Sequence, residues 1–365
     1  MNTMNDRLER KFTTARAIRL LMIALLAMAL TVLAACGAGS DNAANGSGVN
    51  GSAGQTENGT ANGDAGETND GGQAANTAEK EPADTADSAE SAAQTTYPLT
   101  LTDATGTEVT IAEQPAKVVS ITPSETEILF AIGAGGAVAG VDDNSNYPAE
   151  TANLPKVGGF KMNVESVAGL NPDLVVANAS INGQVVEDLR ALGIVVFASQ
   201  PKTIDETIAH IEEVGVIVNK QAEAKAVADK MRADKQAVVD AVKGAEPKTV
   251  YLEFSPGWTV GSGEFLDEIV TLAGGKNVAN SQPSWYEIDP EAILKANPQV
   301  ILYPEIEGDT TIPDAINSRP GWDQIDAVKN KQVFAVPNDP LVRVGPRLTD
   351  GLRDVAKAIH PDLVQ

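Results

Sequence analysis

The sequence predicts an α/β protein whose folded part consists of two similar lobes. Between residues 97 and 365, short runs rich in Val and Ile alternate with helical patterns, and these runs are KVVSI, DLVVAN, IVVFAS, TVYLEF, QVILYP and QVFAVP. Apolar runs separated by ten or more helical residues indicate parallel strands that are buried on both faces. A second observation is an internal repeat, since ESVAGLNPDLVV (residues 165–176) returns as EAILKANPQVIL (residues 291–302). We therefore predict two pseudo-repeated lobes, each a mainly parallel sheet flanked by helices.

The repeat extends beyond these two segments. TEILFAIGAGGAVAG (residues 126–140) corresponds to DEIVTLAGGKNVAN (residues 267–280), and each copy follows a predicted strand. The period is far longer than the roughly 20 to 50 residues of solenoid and propeller repeats, which excludes an open repeat array. We assign residues 96–203 to an N-terminal lobe and residues 247–365 to a C-terminal lobe.

A helical region separates the two copies. Residues 204–246 contain no proline and are rich in Ala, Glu, Lys and Val. Their apolar residues recur at close to helical spacing. The apolar positions are Ala224, Val227, Met231, Val238 and Val242. We predict one long helix that bridges the lobes, preceded by a shorter helix that ends near Asn219.

The first 35 residues are typical of a secretory signal. A basic segment precedes an uncharged apolar run at residues 20–35, which at about sixteen residues is shorter than the roughly 20 that a spanning helix needs. The run ends in LAAC, and its Cys36 is the only cysteine of the chain. This tetrad resembles a bacterial lipobox, so we expect cleavage before Cys36 and a lipid on its thiol. The alternative is an uncleaved signal anchor with an unmodified cysteine.

Residues 36–95 form a segment of low complexity. They are mostly Gly, Asn, Ala, Ser, Thr, Asp and Glu, and they include no aromatic residue. Such a composition cannot bury enough apolar surface to offset the entropy of ordering, so we predict a disordered acidic tether. The formal net charge of the whole chain is −23, which argues against a basic face for nucleic acid.

The two copies of the repeated helix share local signals. Asn163 and Asp289 precede the helices as N-caps, and an Asn-Pro pair ends each helix. Glu165 and Glu291 stand two residues after the caps, where the helix dipole favours a negative charge. From the residues alone, the two glutamates can serve the helix terminus or a partner.

Aromatic residues in loops are candidates for a binding site. Only 4% of the chain is aromatic, yet Phe254, Trp258, Trp285 and Tyr286 fall in or beside loops of Pro, Gly and Ser. Large apolar rings in such loops suit the walls of a pocket for a flat, bulky ligand. The alternative is that each ring covers the core of its lobe.

The chain carries no signature of an enzyme. GxSxG, HExxH, CxxC and P-loop patterns are absent from the sequence, so we expect a protein that is not an enzyme. Its two histidines, His210 and His360, are remote in sequence, and the folded part has no cysteine. We therefore predict no metal site.

Several motifs together identify a family resemblance. The motifs are TPSETEILFAIGAG, NYPAE, NVESVAGLNPDLVVAN, SGEFLDEIVTLAGGKNVA, EIDPEAILKANPQVILY, RPGWDQIDAVKNKQVFAV and RVGPRLTDGLRDVAKAIHP. With the lipobox and the duplicated lobes, the chain resembles the cobalamin and ferric-siderophore class of ABC-transporter substrate-binding lipoproteins, also called periplasmic binding proteins of class III. The resemblance covers residues 97–365 nearly end to end.

The resemblance implies a ligand cleft between the lobes, with ligand contacts from loops that follow strands. The candidates are Pro123, Ser124, Asn146, Tyr147, Pro148, Phe160, Lys161 and residues 180–182 from the first lobe, and Phe254, Trp258, Trp285, Tyr286 and Arg343 from the second. Arg343 could meet a carboxylate or carboxamide group of the ligand, and its alternative is a surface salt bridge.

The resemblance also assigns partners and a location. Glu165 and Glu291 occupy the motif positions at which this family pairs with arginines of an ABC permease dimer. The implied protein is a monomer on the extracytoplasmic face of the membrane, with little closure of its lobes and no cofactor apart from its ligand. A ligand sensor that docks a receptor is the rival role.

The small number of basic residues in the predicted cleft favours a corrinoid as ligand. Cobalamin is nearly neutral, whereas ferric siderophores of the hydroxamate or citrate type usually call for several arginines. The candidate loops offer only Lys161 and Arg343. A ferric siderophore stays open as the alternative, and heme is less favoured because only Met162 and Tyr147 could serve as its iron ligands.

Overall fold

The computed structural model describes residues 94–159 and 161–364. These residues belong to one compact unit of the chain. The predicted signal segment, Cys36, nearly all of the predicted tether and Phe160 lie outside the described residues. Within the described part, no helix has both the length and the apolarity that crossing a membrane requires.

The N-terminal lobe is built on a parallel sheet. Its strands are β1 (Leu99–Thr102), β2 (Glu108–Ile111), β3 (Val118–Ser120), β4 (Val138–Val141), β5 (Leu174–Asn178) and β6 (Val196–Ser199). Its helices are α1 (Pro123–Ala131), α2 (Val164–Gly169) and α3 (Ala179–Ala191). The parallel sheet has the order β4-β3-β5-β6, and β1 and β2 form a separate antiparallel hairpin. Strands β3, β5 and β6 are buried throughout, as expected for strands covered on both faces.

Two helices connect the lobes. They are α4 (Ile204–Ile217) and α5 (Gln221–Ala241), and the turn between them contains Asn219 with a left-handed φ of 58°. Helix α5 packs against α4 along their common face. The structure therefore contains the long helix and the shorter helix before it.

The C-terminal lobe repeats the plan around a longer central strand. Its strands are β7 (Lys248–Ser255), β8 (Trp258–Val260), β9 (Gly275–Asn277), β10 (Trp285–Glu287), β11 (Val300–Glu305) and β12 (Val333–Pro337). Its helices are α6 (Phe265–Leu272), α7 (Pro290–Ala296), α8 (Thr311–Ser318), α9 (Asp326–Lys329), α10 (Asn338–Val342) and α11 (Leu348–Ile359). Strands β9, β7, β11 and β12 are parallel, whereas β8 and β10 extend the carboxyl half of β7 in antiparallel pairing. The α/β prediction is confirmed.

The repeated helices α2 and α7 have matching ends. The Oδ1 atom of Asn163 accepts a hydrogen bond of 3.0 Å from the backbone N–H of Glu165, and Oδ1 of Asp289 accepts one of 3.0 Å from the N–H of Glu291. At the other end, Asn171 and Asn297 adopt left-handed φ values of 49° and 46°. The same caps and stops thus place one glutamate at the exposed head of each helix.

One of the buried apolar clusters of the described residues extends through both lobes and the connecting helices. It includes Val118 in the N-terminal sheet, Ile208 and Met231 on the connecting helices, and Leu252 and Leu352 in the C-terminal lobe. Because packed interiors resist deformation, a continuous core limits the relative motion of the lobes.

His210 of α4 carries a buried charge next to this core. Its Nε2 atom lies 2.9 and 3.0 Å from the two carboxylate oxygens of Glu125, which also accepts a hydrogen bond from Ser199. Burial lowers the pKa of His210, but the attraction and hydrogen bonds of Glu125 and, to a smaller extent, of Glu213 together exceed that effect and raise the pKa to about 9. The imidazole is therefore protonated at neutral pH.

The raised pKa of His210 predicts a loss of stability at alkaline pH. Because the folded-state pKa of about 9 exceeds the ordinary value of 6.5, the contribution is fully present below pH 6.5 and is lost as the pH rises through 9. We expect the difference in unfolding free energy between wild type and His210→Gln to shrink over this window by at most about 1.4 kcal/mol per pH unit. Urea denaturation of both proteins at pH 6 and pH 9.5 measures this difference in unfolding free energy. The same difference at both pH values would contradict the raised pKa of His210.

Candidate functional site

Exposed apolar side chains gather at the carboxyl ends of the strands. Six large apolar residues are exposed in the described part of the chain, and four of them lie one to six residues beyond the carboxyl end of a strand. These are Tyr147 after β4, Ile181 after β5, Trp258 after β7 and Ile306 after β11. Ligands bind at the carboxyl ends of strands in open α/β sheets, so these side chains mark the candidate cleft.

A cavity of about 730 Å³ is lined almost entirely by residues of the C-terminal lobe. Asn146 of the N-terminal lobe faces Tyr303, Ile306 and Pro337 at the carboxyl ends of β11 and β12. Its volume is within the range of small-molecule pockets. No lysine or arginine is among the described residues that line the cavity. Four acidic residues line it: Glu305, Glu307, Asp309 and Asp339.

A buried carboxylate joins the two lobes beside this cavity. The side chain of Glu127, on α1, is 1% exposed. Its Oε1 accepts hydrogen bonds of 2.8 Å from Nη1 of Arg343 and 2.6 Å from Nη2 of Arg347, and its Oε2 accepts one of 2.8 Å from Nε of Arg347. Arg343 also lies 2.9 Å from Asp339. The two positive charges are therefore matched by two carboxylates of the protein itself.

The same contact brings Tyr147 and Ser124 to the lobe junction. The guanidinium carbon of Arg347 lies 4.0 Å from the centroid of the Tyr147 ring, a cation–π arrangement, while the tyrosine stays 47% exposed. Ser124 is buried and lies against Gly345, where an added Cβ would come 3.4 Å from the Ser124 carbonyl oxygen. Ser124 and Arg343 thus lie where the lobes meet.

The aromatic residues of the C-terminal lobe divide into two groups. Trp285 packs against Phe254 and Phe265, with ring centroids 4.8 and 6.3 Å away, and the Tyr286 hydroxyl donates a 2.7 Å hydrogen bond to a backbone carbonyl. These three predicted ligand residues, Phe254, Trp285 and Tyr286, are partly buried over the lobe core, whereas Trp258 is 45% exposed. The alternative role, covering the core of the lobe, therefore applies in part to Phe254, Trp285 and Tyr286.

A second buried glutamate supports the turn that carries Trp258. Glu253 is fully buried, forms a two-pronged ion pair with Arg319, and accepts a 2.9 Å hydrogen bond from the N–H of Gly257. Gly257 has a left-handed φ of 83°, which the turn between β7 and β8 requires. The side chain of Glu253 thus fixes the turn before Trp258.

The remaining predicted residues lie apart from the cavity. Lys161 is exposed, and Pro123 occupies the first turn of α1. Glu165 and Glu291 are exposed, and within residues 94–159 and 161–364 neither forms a salt bridge. Of the residues named from the sequence, Asn146 lines the cavity.

Sequence reasoning missed Glu127, Arg347 and the carboxyl end of β11. A signal for Glu127 existed, because it directly precedes the apolar residues Ile128 and Leu129 on a helix, and a buried carboxylate needs a cationic partner. The end of β11 could also have been included, since it is the carboxyl end of a predicted parallel strand.

Comparison with protein families gives one match. Residues 118–340 match the model described as a periplasmic binding protein. The chain is 35% identical over 291 residues to the uncharacterized ABC transporter substrate-binding lipoprotein YvrC of Bacillus subtilis, which covers 77% of this chain and 91% of the relative. It is 29% identical over 276 residues to a cobalamin-binding protein of Halobacterium salinarum, covering 72% and 74% of the two chains.

Solved structures with the same fold differ in the ligands that their names give. A possible iron-binding protein of Staphylococcus epidermidis has a TM-score of 0.61 at 27% identity, covering 68% of this chain and 100% of that one. The vitamin B12-binding protein BtuF of Vibrio cholerae has 0.61 at 28%, covering 68% and 98%. The heme-binding protein RhuT of a Roseiflexus species has 0.59 at 25%, covering 67% and 98%. The likeness therefore indicates a class of proteins and leaves the ligand open.

Proposed function

Because the chain belongs to the periplasmic binding protein family, whose members bind solutes and are not enzymes, we propose that it captures a corrinoid, cobalamin, between its lobes and delivers it to an ABC importer. The family implies a small-molecule ligand and a permease partner. The choice of cobalamin, the docking residues and the lipid anchor are the finer parts of the proposal.

The charge of the cleft is the observation that carries the choice of ligand. The two arginines at the lobe junction, Arg343 and Arg347, are bound to Glu127 and Asp339, so their charges are balanced within the protein. The cavity itself is lined by four acidic residues. Such a surface favours a neutral or cationic ligand with N–H donors, and cobalamin is nearly neutral overall with amide groups around its ring.

The same charges disfavour the anionic alternatives. Ferric citrate and the propionate groups of heme would face the acidic wall, and no arginine is among the described residues that line it. A neutral or cationic ferric hydroxamate is compatible with the wall and is the second candidate. The exposed faces of Tyr147, Ile181, Trp258 and Ile306 would cover the apolar surface of either ligand.

Glu165 and Glu291 form the proposed docking pair. Each is exposed at the head of a short helix with the same cap geometry, one in each lobe. Two carboxylates on a rigid frame can pair with two basic pockets of a symmetric permease, which fixes the register of docking and raises the association rate. Their role at the helix terminus is compatible with this one, because a carboxylate can face the dipole and a partner at once.

The proposed location is the extracytoplasmic face of the membrane, with a lipid at Cys36. Its support is the signal-like segment that ends in LAAC and the relative that is named a lipoprotein. Cys36 itself lies outside the described residues.

We expect cobalamin to bind the purified protein, and Trp258→Ala to weaken the complex by about ten- to a hundredfold because it removes an exposed aromatic wall. Isothermal calorimetry with cobalamin, ferric citrate, a ferric hydroxamate and heme measures the affinities. Leu192→Ala is the matched control, since Leu192 is also exposed but lies at the end of α3 that is remote from the cleft edge. Tighter binding of ferric citrate or heme than of cobalamin would contradict the preference of the cleft for a neutral or cationic ligand. Binding of the ferric hydroxamate without binding of cobalamin would make the hydroxamate the ligand.

The double variant Glu165→Arg with Glu291→Arg should abolish cobalamin uptake by cells while leaving the affinity for cobalamin within about twofold of wild type, because like charges would face the permease arginines. The control is Glu187→Arg with Glu246→Arg, which makes the same charge change at two other exposed glutamates. Normal uptake in the first double variant would contradict the docking role. Such an outcome would leave the receptor-docking sensor as the better account.

A further inference from the structure

Glu127 brings a negative charge into the contact between the lobes. Its side chain is 1% exposed, and its hydrogen-bond partners Arg343 and Arg347 lie 216 and 220 residues further along the chain. A buried ion pair is weak support for stability, because apolar side chains of similar volume often do as well. Stability alone therefore does not explain why this ion pair is buried between the lobes.

The ion pair fixes one face of α1 against one segment of the C-terminal lobe. Ser124 and Glu127 are three residues apart on α1 and so share a helix face. That face meets Gly345 at Ser124 and the two flanking arginines at Glu127. Planar guanidinium groups with two or more hydrogen bonds have a defined orientation, so the segment between α10 and α11 is held in both position and direction.

The orientation of Arg347 has a consequence for Tyr147. The tyrosine ring stacks 4.0 Å from the guanidinium carbon and leaves about half of its surface exposed. Arg347 is held by two of its nitrogen atoms on Glu127, so the plane on which the ring stacks is set by that carboxylate. Tyr147 belongs to the first lobe, whereas Arg347 belongs to the second.

We propose that Glu127 is a positioning residue that fixes the separation of the lobes and, through Arg347, presents the ring of Tyr147 to the ligand. This inference rests on the proposed binding function. Glu127 itself is buried and does not contact the ligand. Its loss would let the lobes separate more easily and release the ring, so the bound ligand would escape faster while the rate of entry would change little.

The test compares Glu127→Gln with Asp103→Asn in the full chain. Asp103 is also buried and paired with an arginine, Arg190, but both lie in the N-terminal lobe. Each variant converts a buried carboxylate to an amide of the same shape, so general destabilisation is common to both. Stopped-flow kinetics with cobalamin should show dissociation at least tenfold faster in Glu127→Gln and association within twofold of wild type, whereas Asp103→Asn should keep both rates.

A second readout needs no ligand. Hydrogen–deuterium exchange of the free protein should become faster in Glu127→Gln at residues 142–148 and 343–348, which belong to different lobes. In Asp103→Asn the increase should be confined to the segment around residues 103–107. If wild type does not bind cobalamin, the proposed ligand fails, and this exchange pattern still decides the role of Glu127.

Two outcomes would overturn the inference. One is a folded Glu127→Gln protein with cobalamin dissociation within twofold of wild type, and the other is unchanged exchange at both segments. Should Glu127→Gln fail to fold, Arg347→Lys serves instead, because lysine keeps the charge beside Glu127 but lacks the planar group on which Tyr147 stacks. We expect it to give faster dissociation as well, and rates equal to those of wild type would contradict the positioning role.

Discussion

The buried carboxylate of Glu127 is the constraint on which the rest of the cleft depends. A charge with 1% exposure needs cationic partners, and the other lobe supplies both of them as Arg343 and Arg347. Three features of the cleft depend on this contact. The lobes meet at a fixed place, the two arginines cannot serve an anionic ligand without giving up Glu127, and the ring of Tyr147 stacks on a fixed plane.

A rigid contact between the lobes is also required by the proposed role of the duplicated helices α2 and α7. Helices α2 and α7 have the same caps and each carries one exposed glutamate, but two docking points are useful only when the distance between them is constant. A continuous apolar core, the helix pair α4 and α5, and the ion pair of Glu127 all restrict that distance. The proposed contact with a permease therefore relies on the same interactions that shape the cleft.

Local signals in the sequence predicted most of the fold, whereas contacts between the lobes could not be predicted. The Val- and Ile-rich strands and the caps at Asn163 and Asp289 depend on neighbouring residues, so the sequence displays them directly. The pairing of Glu127 with Arg343 spans 216 residues and depends on how the lobes pack. Composition likewise cannot separate Trp285, which packs on Phe254, from Trp258, which stays exposed.

The most direct test of this account is the distance between the two proposed docking residues. A chain with Cys36→Ser, Glu165→Cys and Glu291→Cys has only its two introduced thiols, so both can carry spin labels for pulsed dipolar spectroscopy. The account predicts one narrow distance distribution in the free protein, whose mean stays the same when cobalamin is added to saturation. A broad distribution, or a mean that shifts by several ångströms with ligand, would show hinged lobes and contradict the central claim.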